Sequence, residues 1–563
     1  MTTIRRSEPQ VRTQSEPQVQ QQPATQGAAP TQATAEARST PPAKAPGSAD
    51  AFVASGGDAG RADPKAQIDQ QMQRASVPAD QRARINEHLK GLSGEALQRE
   101  VNLLNSALAS PNADRAVATY DKLLGISKES RQAAERLTPE IREALVNGVA
   151  SARTGQSTGL EGILGPRQAE QAARALVNMP GEIYQQTQAL LDKAGQGRDG
   201  LPAPRSDAGA ERALILKAVA ARSDRLKDSW MDSAKRRLGF GDSTEANKAM
   251  AEIQGFAQDV RGLNRTELIR TTTPLDVESA NTSRVDPNAL RSNNDAQGNN
   301  DGLFQRWNDS CGPTTAQLTR AEADPVYARQ LHRDGLHNAD PNSATAKEQR
   351  RVLEDVGGGS AVSRLGLQAS QKLGDQLDAA QKAGALTGEQ RTAINKFVSN
   401  KPLTAAEQAQ ANAGLEVLRR RDAGHPTAAE VEAMRSNAGK NGDGMVLDKA
   451  LNDITRQSTH INYKTQWVGN SGMTDATLKE WDSRLKNGQD VPIRVSNASN
   501  GGGHFMMVND VRGEGANRRY LISDPWSGKT AWLSRDELLD PSKGAIDKNF
   551  GIGWDRVTHY YTE

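Results

Sequence analysis

A chain of 563 residues with a formal net charge of +2 is too long for one ordinary core and too near neutral for a sequence-independent polyanion binder. Hydrophobic residues make up 36% and the mean hydropathy is −0.71, so part of the chain lacks the apolar area to pack. Fifteen of the 21 aromatic residues lie from Phe304 onward, which puts the densest core in the C-terminal half.

Taken in chain order, residues 1–64 are rich in Gln, Pro, Ala, Ser, Thr and Gly and carry a short echo, Ser7-Glu8-Pro9-Gln10-Val11 against Ser15-Glu16-Pro17-Gln18-Val19. Such a segment cannot bury enough surface to offset chain entropy and reads as a disordered tail. It serves as a linker or, on the sharper reading, as an uncleaved export address of an injected bacterial effector. Residues 65–260 carry helical stripes: Ile85, Leu89 and Leu92; Leu97, Val101, Leu104 and Leu108; Ile141, Leu145 and Val149; Leu214, Leu216 and Val219. An all-helical domain fits, either a spacer or a platform for a protein partner. Residues 261–302 turn polar again and read as a linker. In 303–563 a helix starts near Cys311, helical pattern continues to about 455, and strands are expected at 461–468, 491–495, 504–511, 520–523, 530–533 and 557–561. Helices followed by a run of strands point to an α+β fold with an antiparallel sheet.

Several classes fall away. No run of about eighteen apolar residues spans a membrane, and Arg5-Arg6 is followed by no apolar stretch, so synthesis in the cytoplasm without a signal peptide is expected. Delivery through a dedicated secretion machine is compatible with that. The single cysteine, Cys311, rules out an internal disulfide framework and a cysteine-rich zinc site. Seven scattered histidines form no His-x-x-x-His pair, so neither a metal nor another cofactor is expected. Trp307, Trp467, Trp526, Trp532 and Trp554 read as core or cleft walls rather than a stacking platform, and no nucleic-acid partner follows. Arg419-Arg420-Arg421 and Arg518-Arg519 read as solvated faces, and Gly357-Gly358-Gly359 as a hinge. His332, His337, His425, His460 and His559 lack partners at diagnostic spacings.

Chemistry concentrates around Cys311. Asn308-Asp309-Ser310 before Gly312-Pro313 is helix-start composition, and a sulfur at a helix N-terminus meets a dipole and backbone N–H groups that favour thiolate. A lone cysteine is by default an inert small hydrophobe. A nucleophile needs a base, and the base an orienting group. His504 follows Gly501-Gly502-Gly503 and opens a strand on whose faces alternation groups it with Met506 and Val508. Tyr520 to Ser523 forms a second strand ending in Asp524-Pro525, and a hairpin-like return would bring Asp524 beside His504 to fix the imidazole tautomer. Taken singly, each is also an ordinary loop or turn signal.

Gln305 six residues before Cys311, Cys-Gly-Pro-Thr at a helix start, Gly-His opening a late strand and then Asp-Pro-x-x-Gly together resemble the papain-like cysteine peptidases of the double-glycine, bacteriocin-leader-processing group. The resemblance covers about 303–335 and 460–563, roughly a quarter of the chain. It implies a papain-like C-terminal domain, a Cys311–His504–Asp524 triad, and an oxyanion hole from the Gln305 side chain and the Cys311 backbone N–H. It further implies a thiol-dependent peptidase or amidase acting on a protein or peptide. Deamidation or acyl transfer would use the same site, and a catalytically inactive papain-like module or a helical binding protein are the remaining readings.

The chain departs from the family pattern in three ways. The cysteine helix, Thr314-Thr315-Ala316-Gln317-Leu318-Thr319-Arg320-Ala321, is more polar than the family's apolar one. About 190 residues separate Cys311 from His504, with a helical insertion at about 340–455 that needs helices of its own. No transporter is fused to the chain, which makes leader processing the weaker version of the activity.

Overall fold

A computed structural model describes residues 63–151, 162–197, 199–203, 206–227, 244–275, 302–305, 310–336, 342–356, 361–438, 445–468, 472–496, 503–526, 528–551, 553 and 555–563. The tail expected at 1–64 therefore lies outside the described residues except for its last two, as does the Gly357-Gly358-Gly359 hinge. Residues 62–563 form one compact unit.

The first part of that unit is helical because its stripes find partners. Pro64–Arg74 opens on Asp63, whose side chain accepts from the Lys65 N–H, and buries Ile68 and Met72. Ile85 and Leu89, Leu104, and Ile141, Leu145 and Val149 are buried in one continuous core, with Leu92, Leu97 and Leu108 packed at its margin; Val101 is buried as well. The helix Ala208–Ala221 differs from its expected stripe. From Ala210 onward all its residues except Arg212 are buried, Glu211 and Lys217 included, so it runs through the middle of the bundle instead of along its surface. The buried Glu211 carboxylate accepts the N–H of Gly195 at 2.9 Å.

The polar stretch expected as a linker at 261–302 is in part structured. Arg265–Thr272 is a helix opened by a reciprocal capping box between Asn264 and Glu267, and it buries Leu268, Ile269 and Thr272. Composition hid this helix; the Asn-x-x-Glu spacing was its signal.

The C-terminal part is α+β. Six antiparallel strands, β1 (Lys464–Trp467), β2 (Val491–Ser496), β3 (Gly503–Arg512), β4 (Arg519–Ser523), β5 (Thr530–Ser534) and β6 (Arg556–Thr562), lie in the order β1-β6-β2-β3-β4-β5. All six coincide with the expected strand segments, with ends shifted by up to three residues. One face packs on the helix Asp475–Lys486 through a core holding Trp481, Val491, Ile493, Met506, Val508, Tyr520 and Ile522. The other face receives the helix Cys311–Ala323: Leu318 and Ala321 meet Met507 and Leu521 in one cluster, and Ala316 meets Phe505 and Tyr561 in another.

The expected insertion divides in two. Its first helix, Ala344–Val356, and its last, Met445–Thr459, join the cysteine helix through Val352, Ala450, Leu451 and Ile454. Between them Ala361–Lys382, Gly388–Val398, Ala405–Arg421 and Ala428–Asn437 close around a core of their own. Three of these four start on threonine capping boxes, at Thr387, Thr404 and Thr427.

The cysteine helix is polar and yet buried. Thr314, Thr315, Gln317, Thr319 and Glu322 are all nearly inaccessible, and four of the five make a side-chain hydrogen bond. Gln317 donates to the Glu348 carboxylate at 2.7 Å, Thr319 to the Thr315 carbonyl at 2.9 Å, and Thr273 to Glu322 at 3.2 Å. A buried polar helix is tolerable when most of its groups are matched; here its threonines turn back on carbonyls at i−4, and Glu348 and Thr273 answer Gln317 and Glu322 from outside.

Candidate active site

Cys311 is the first residue of its helix and is half-buried. The first N–H engaged in the helical ladder is that of Thr314, which donates to the Ser310 carbonyl at 2.9 Å, so the Cys311 and Gly312 N–H groups lie ahead of the ladder. Ser310 does not cap the helix; its hydroxyl donates to the Gln349 side chain at 3.1 Å.

His504 stands at the start of β3, opposite Val495 of β2. Met506 and Val508 enter the Trp481 core while Phe505 and Met507 turn toward the cysteine helix. The His504 ring, 1% exposed, has Nε2 2.6 Å from Asp524 Oδ1 and lies near enough to the Cys311 sulfur to feel its charge. Burial pushes its pKa down, but its hydrogen bond to Asp524 and the charges of Asp524 and the Cys311 sulfur outweigh burial and raise it to about 9. The structure thus brings the half-buried Cys311 near the buried His504–Asp524 pair, about 190 residues further along the chain.

Asp524 ends β4 in a closed loop. Its N–H donates to the Lys529 carbonyl and its own carbonyl accepts the Gly528 N–H, both at 2.8 Å, while the Trp526 N–H reaches Asp524 Oδ1 at 2.9 Å. Gly528 has φ +71°, and a Cβ there would stand 2.7 Å from the Gly302 carbonyl oxygen. The Asp-Pro-x-x-Gly segment is an ordinary turn and also a carboxylate holder; both readings hold at once. Trp526, expected only as a wall, meets the His504 ring edge-on with centroids 5.8 Å apart. Its place two residues after Asp524 was the available signal, since the turn folds it back over the carboxylate.

Gln305 is buried, at 4% exposure, and its backbone N–H donates to the Pro525 carbonyl at 2.6 Å. The segment 302–305 is thereby fastened to the Asp524 turn. Residues 306–309, Trp307 among them, lie outside the described residues, as do Gly501 and Gly502 before the histidine and Trp554. Beside Gly503 the Arg494 guanidinium stands with its nitrogens 2.7 Å from where a Cβ would be, so a side chain there would have to displace it.

Two further findings bear on the histidines. His460, expected to lack a partner, has Nδ1 2.7 Å from Asp224 Oδ2 and Nε2 3.0 Å from Ser223 Oγ. The same Nε2 lies 3.1 Å from the Ala220 carbonyl, which demands an N–H there. A protonated Nε2 cannot take the serine proton, so this cluster pins two parts of the fold and activates nothing. His425 bonds Glu430 at 2.8 Å and His332 the Thr273 carbonyl at 2.7 Å, both local fastenings; His337 lies outside the described residues. Among the described residues no group of three or more His, Cys, Asp or Glu is placed to hold a metal ion, and no helix is long and apolar enough to cross a membrane.

No family model, curated protein or solved structure matches this chain.

Proposed function

We propose that the protein is a papain-like thiol hydrolase acting on a peptide or protein amide. The observation that carries this reading is the buried His504 ring, held by Asp524 through Nε2 and within reach of the charge of the only cysteine of the chain. With Nε2 committed to the carboxylate, Nδ1 is the nitrogen left to take the thiol proton. The resulting thiolate attacks the carbonyl carbon, and the Cys311 N–H with the Gln305 side chain receives the developing oxyanion. The imidazolium passes its proton to the leaving amine, and water then hydrolyses the thioester with His504 again as base. An acceptor amine or hydroxyl in place of water would make the same site an acyltransferase, and a glutamine side chain as substrate a deamidase. Trp526 keeps water from the His504–Asp524 bond, which strengthens it.

The test is the rate at which iodoacetamide alkylates Cys311 at pH 7. The intact cluster should react far faster than a free thiol, and His504→Ala should lower that rate by about 10²-fold or more. Cys311→Ala should abolish hydrolysis of a casein or peptide-library substrate with the fold intact. Alkylation at a free-thiol rate, unchanged by His504→Ala, would instead support an inactive papain-like binding module.

A further inference from the structure

Gln349 belongs to the helix Ala344–Val356, in the stretch that separates the cysteine from the histidine, and its side chain is fully buried. Its amide is used at both ends. Oε1 accepts the Ser310 hydroxyl at 3.1 Å. Nε2 donates to the Phe304 carbonyl at 3.4 Å and to Gln317 Oε1 at 3.0 Å. Ser310 and Phe304 are the residues immediately before Cys311 and Gln305, so one side chain touches both arms that would supply oxyanion donors. Gln349 bridges the two arms. Behind the bridge, Gln317 Nε2 donates to Glu348 Oε2 at 2.7 Å and to the Thr345 carbonyl at 3.4 Å. Tyr327 also donates to the Glu348 carboxylate. Each amide orientation is consistent with the next, and a matched buried network of this kind holds one geometry.

We infer that Gln349 is a positioning residue that sets the spacing of the oxyanion hole, and that the inserted helix carrying it belongs to the catalytic apparatus. This rests on the thiol-hydrolase reading. It predicts a division between two reactions of the same sulfur. In alkylation the thiolate displaces iodide from iodoacetamide, with no oxyanion formed. In acetylation by p-nitrophenyl acetate the thiolate adds to the carbonyl carbon, an oxyanion develops, nitrophenolate leaves, and water later releases acetate from the thioester. Direct loss of one oxyanion donor costs on the order of 10²–10³ in rate, and a displaced donor loses part of that.

In the full-length chain, Gln349→Met should therefore slow acetylation, read as the nitrophenolate burst, by about 10- to 100-fold. The iodoacetamide rate should change by less than about twofold. Ser310→Ala, which removes only the hydroxyl partner, should show the same selectivity, and the two substitutions together should cost less than the product of their separate effects. If Gln349→Met fails to fold, the Ser310→Ala division alone decides. Equal loss in both reactions, or loss in neither, overturns the inference while leaving the thiol-hydrolase reading standing. A wild-type sulfur that alkylates like a free thiol and ignores His504→Ala removes both.

Discussion

His504 holds its proton to about pH 9, well above the 6.5 of an ordinary imidazole, and that difference has a sign. A histidine whose pKa rises on folding stabilises the fold in full below its unfolded value and gives that stability up as pH climbs through the folded one. The advantage of the wild type over His504→Gln in urea denaturation should be largest near pH 6 and shrink as pH passes through about 9. A gap that widened toward high pH would contradict the assignment. The rate of the proposed reaction should also fall above about pH 9, where the leaving amine loses its proton donor. At this scale Cys311, His504 and Asp524 were legible because each stands beside a backbone signal: Gly312-Pro313, Gly501 to Gly503, and Pro525 with Gly528. Gln349 was not. A glutamine in a charged helical stretch carries no local mark, and it acquires its role only when burial brings it against Ser310 and Phe304, about 40 residues earlier.

Elements were legible where one physical signal dominated. β-Branched and aromatic alternation located all six strands, and Ser523 ending β4 opposite Met507 of β3 is the return that carries Asp524 to the histidine. Strand order was not legible. The place of β6 between β1 and β2 depends on contacts made across the whole domain. The 208–221 segment showed only the stripe of Leu214, Leu216 and Val219 because alanine is ambiguous: it suits helix faces that meet water and faces that meet other helices alike. The sheet itself should depend on Trp481, fully buried between Tyr520 and Tyr560, whose rings it meets edge-on at 6.0 and 6.1 Å. Trp481→Ala should cost about 3–5 kcal/mol, read as a shift of the denaturation midpoint. Trp467, 60% exposed at the edge strand β1, makes the control, and Trp467→Ala should change stability by no more than about 0.5 kcal/mol.

Across the molecule, the helical and α+β parts are joined by charge as well as by packing. Arg222 and Asp324, both buried, pair at 2.8 Å, and Arg222 also reaches Glu252 at 2.7 Å; Arg115 meets Asp510 at 3.4 Å. Burial would raise the Asp324 carboxyl pKa, but Arg222 overrides it and keeps the group ionised below its ordinary range. Arg222→Ala should therefore destabilise by about 3–5 kcal/mol, since it strands a buried carboxylate. Adding Asp324→Asn should recover part of that loss in the same denaturation measurement. The cysteine helix runs directly into Asp324, and its polar side chains are answered from Thr273 on one side and Glu348 on the other. A fragment cut to begin at 303 would keep Glu348 but lose Thr273, which donates to Glu322, and Arg222, which pairs with Asp324. Moved alone, the 303–563 segment would have to find substitutes for both, so the early helices are part of what holds the cysteine helix in place.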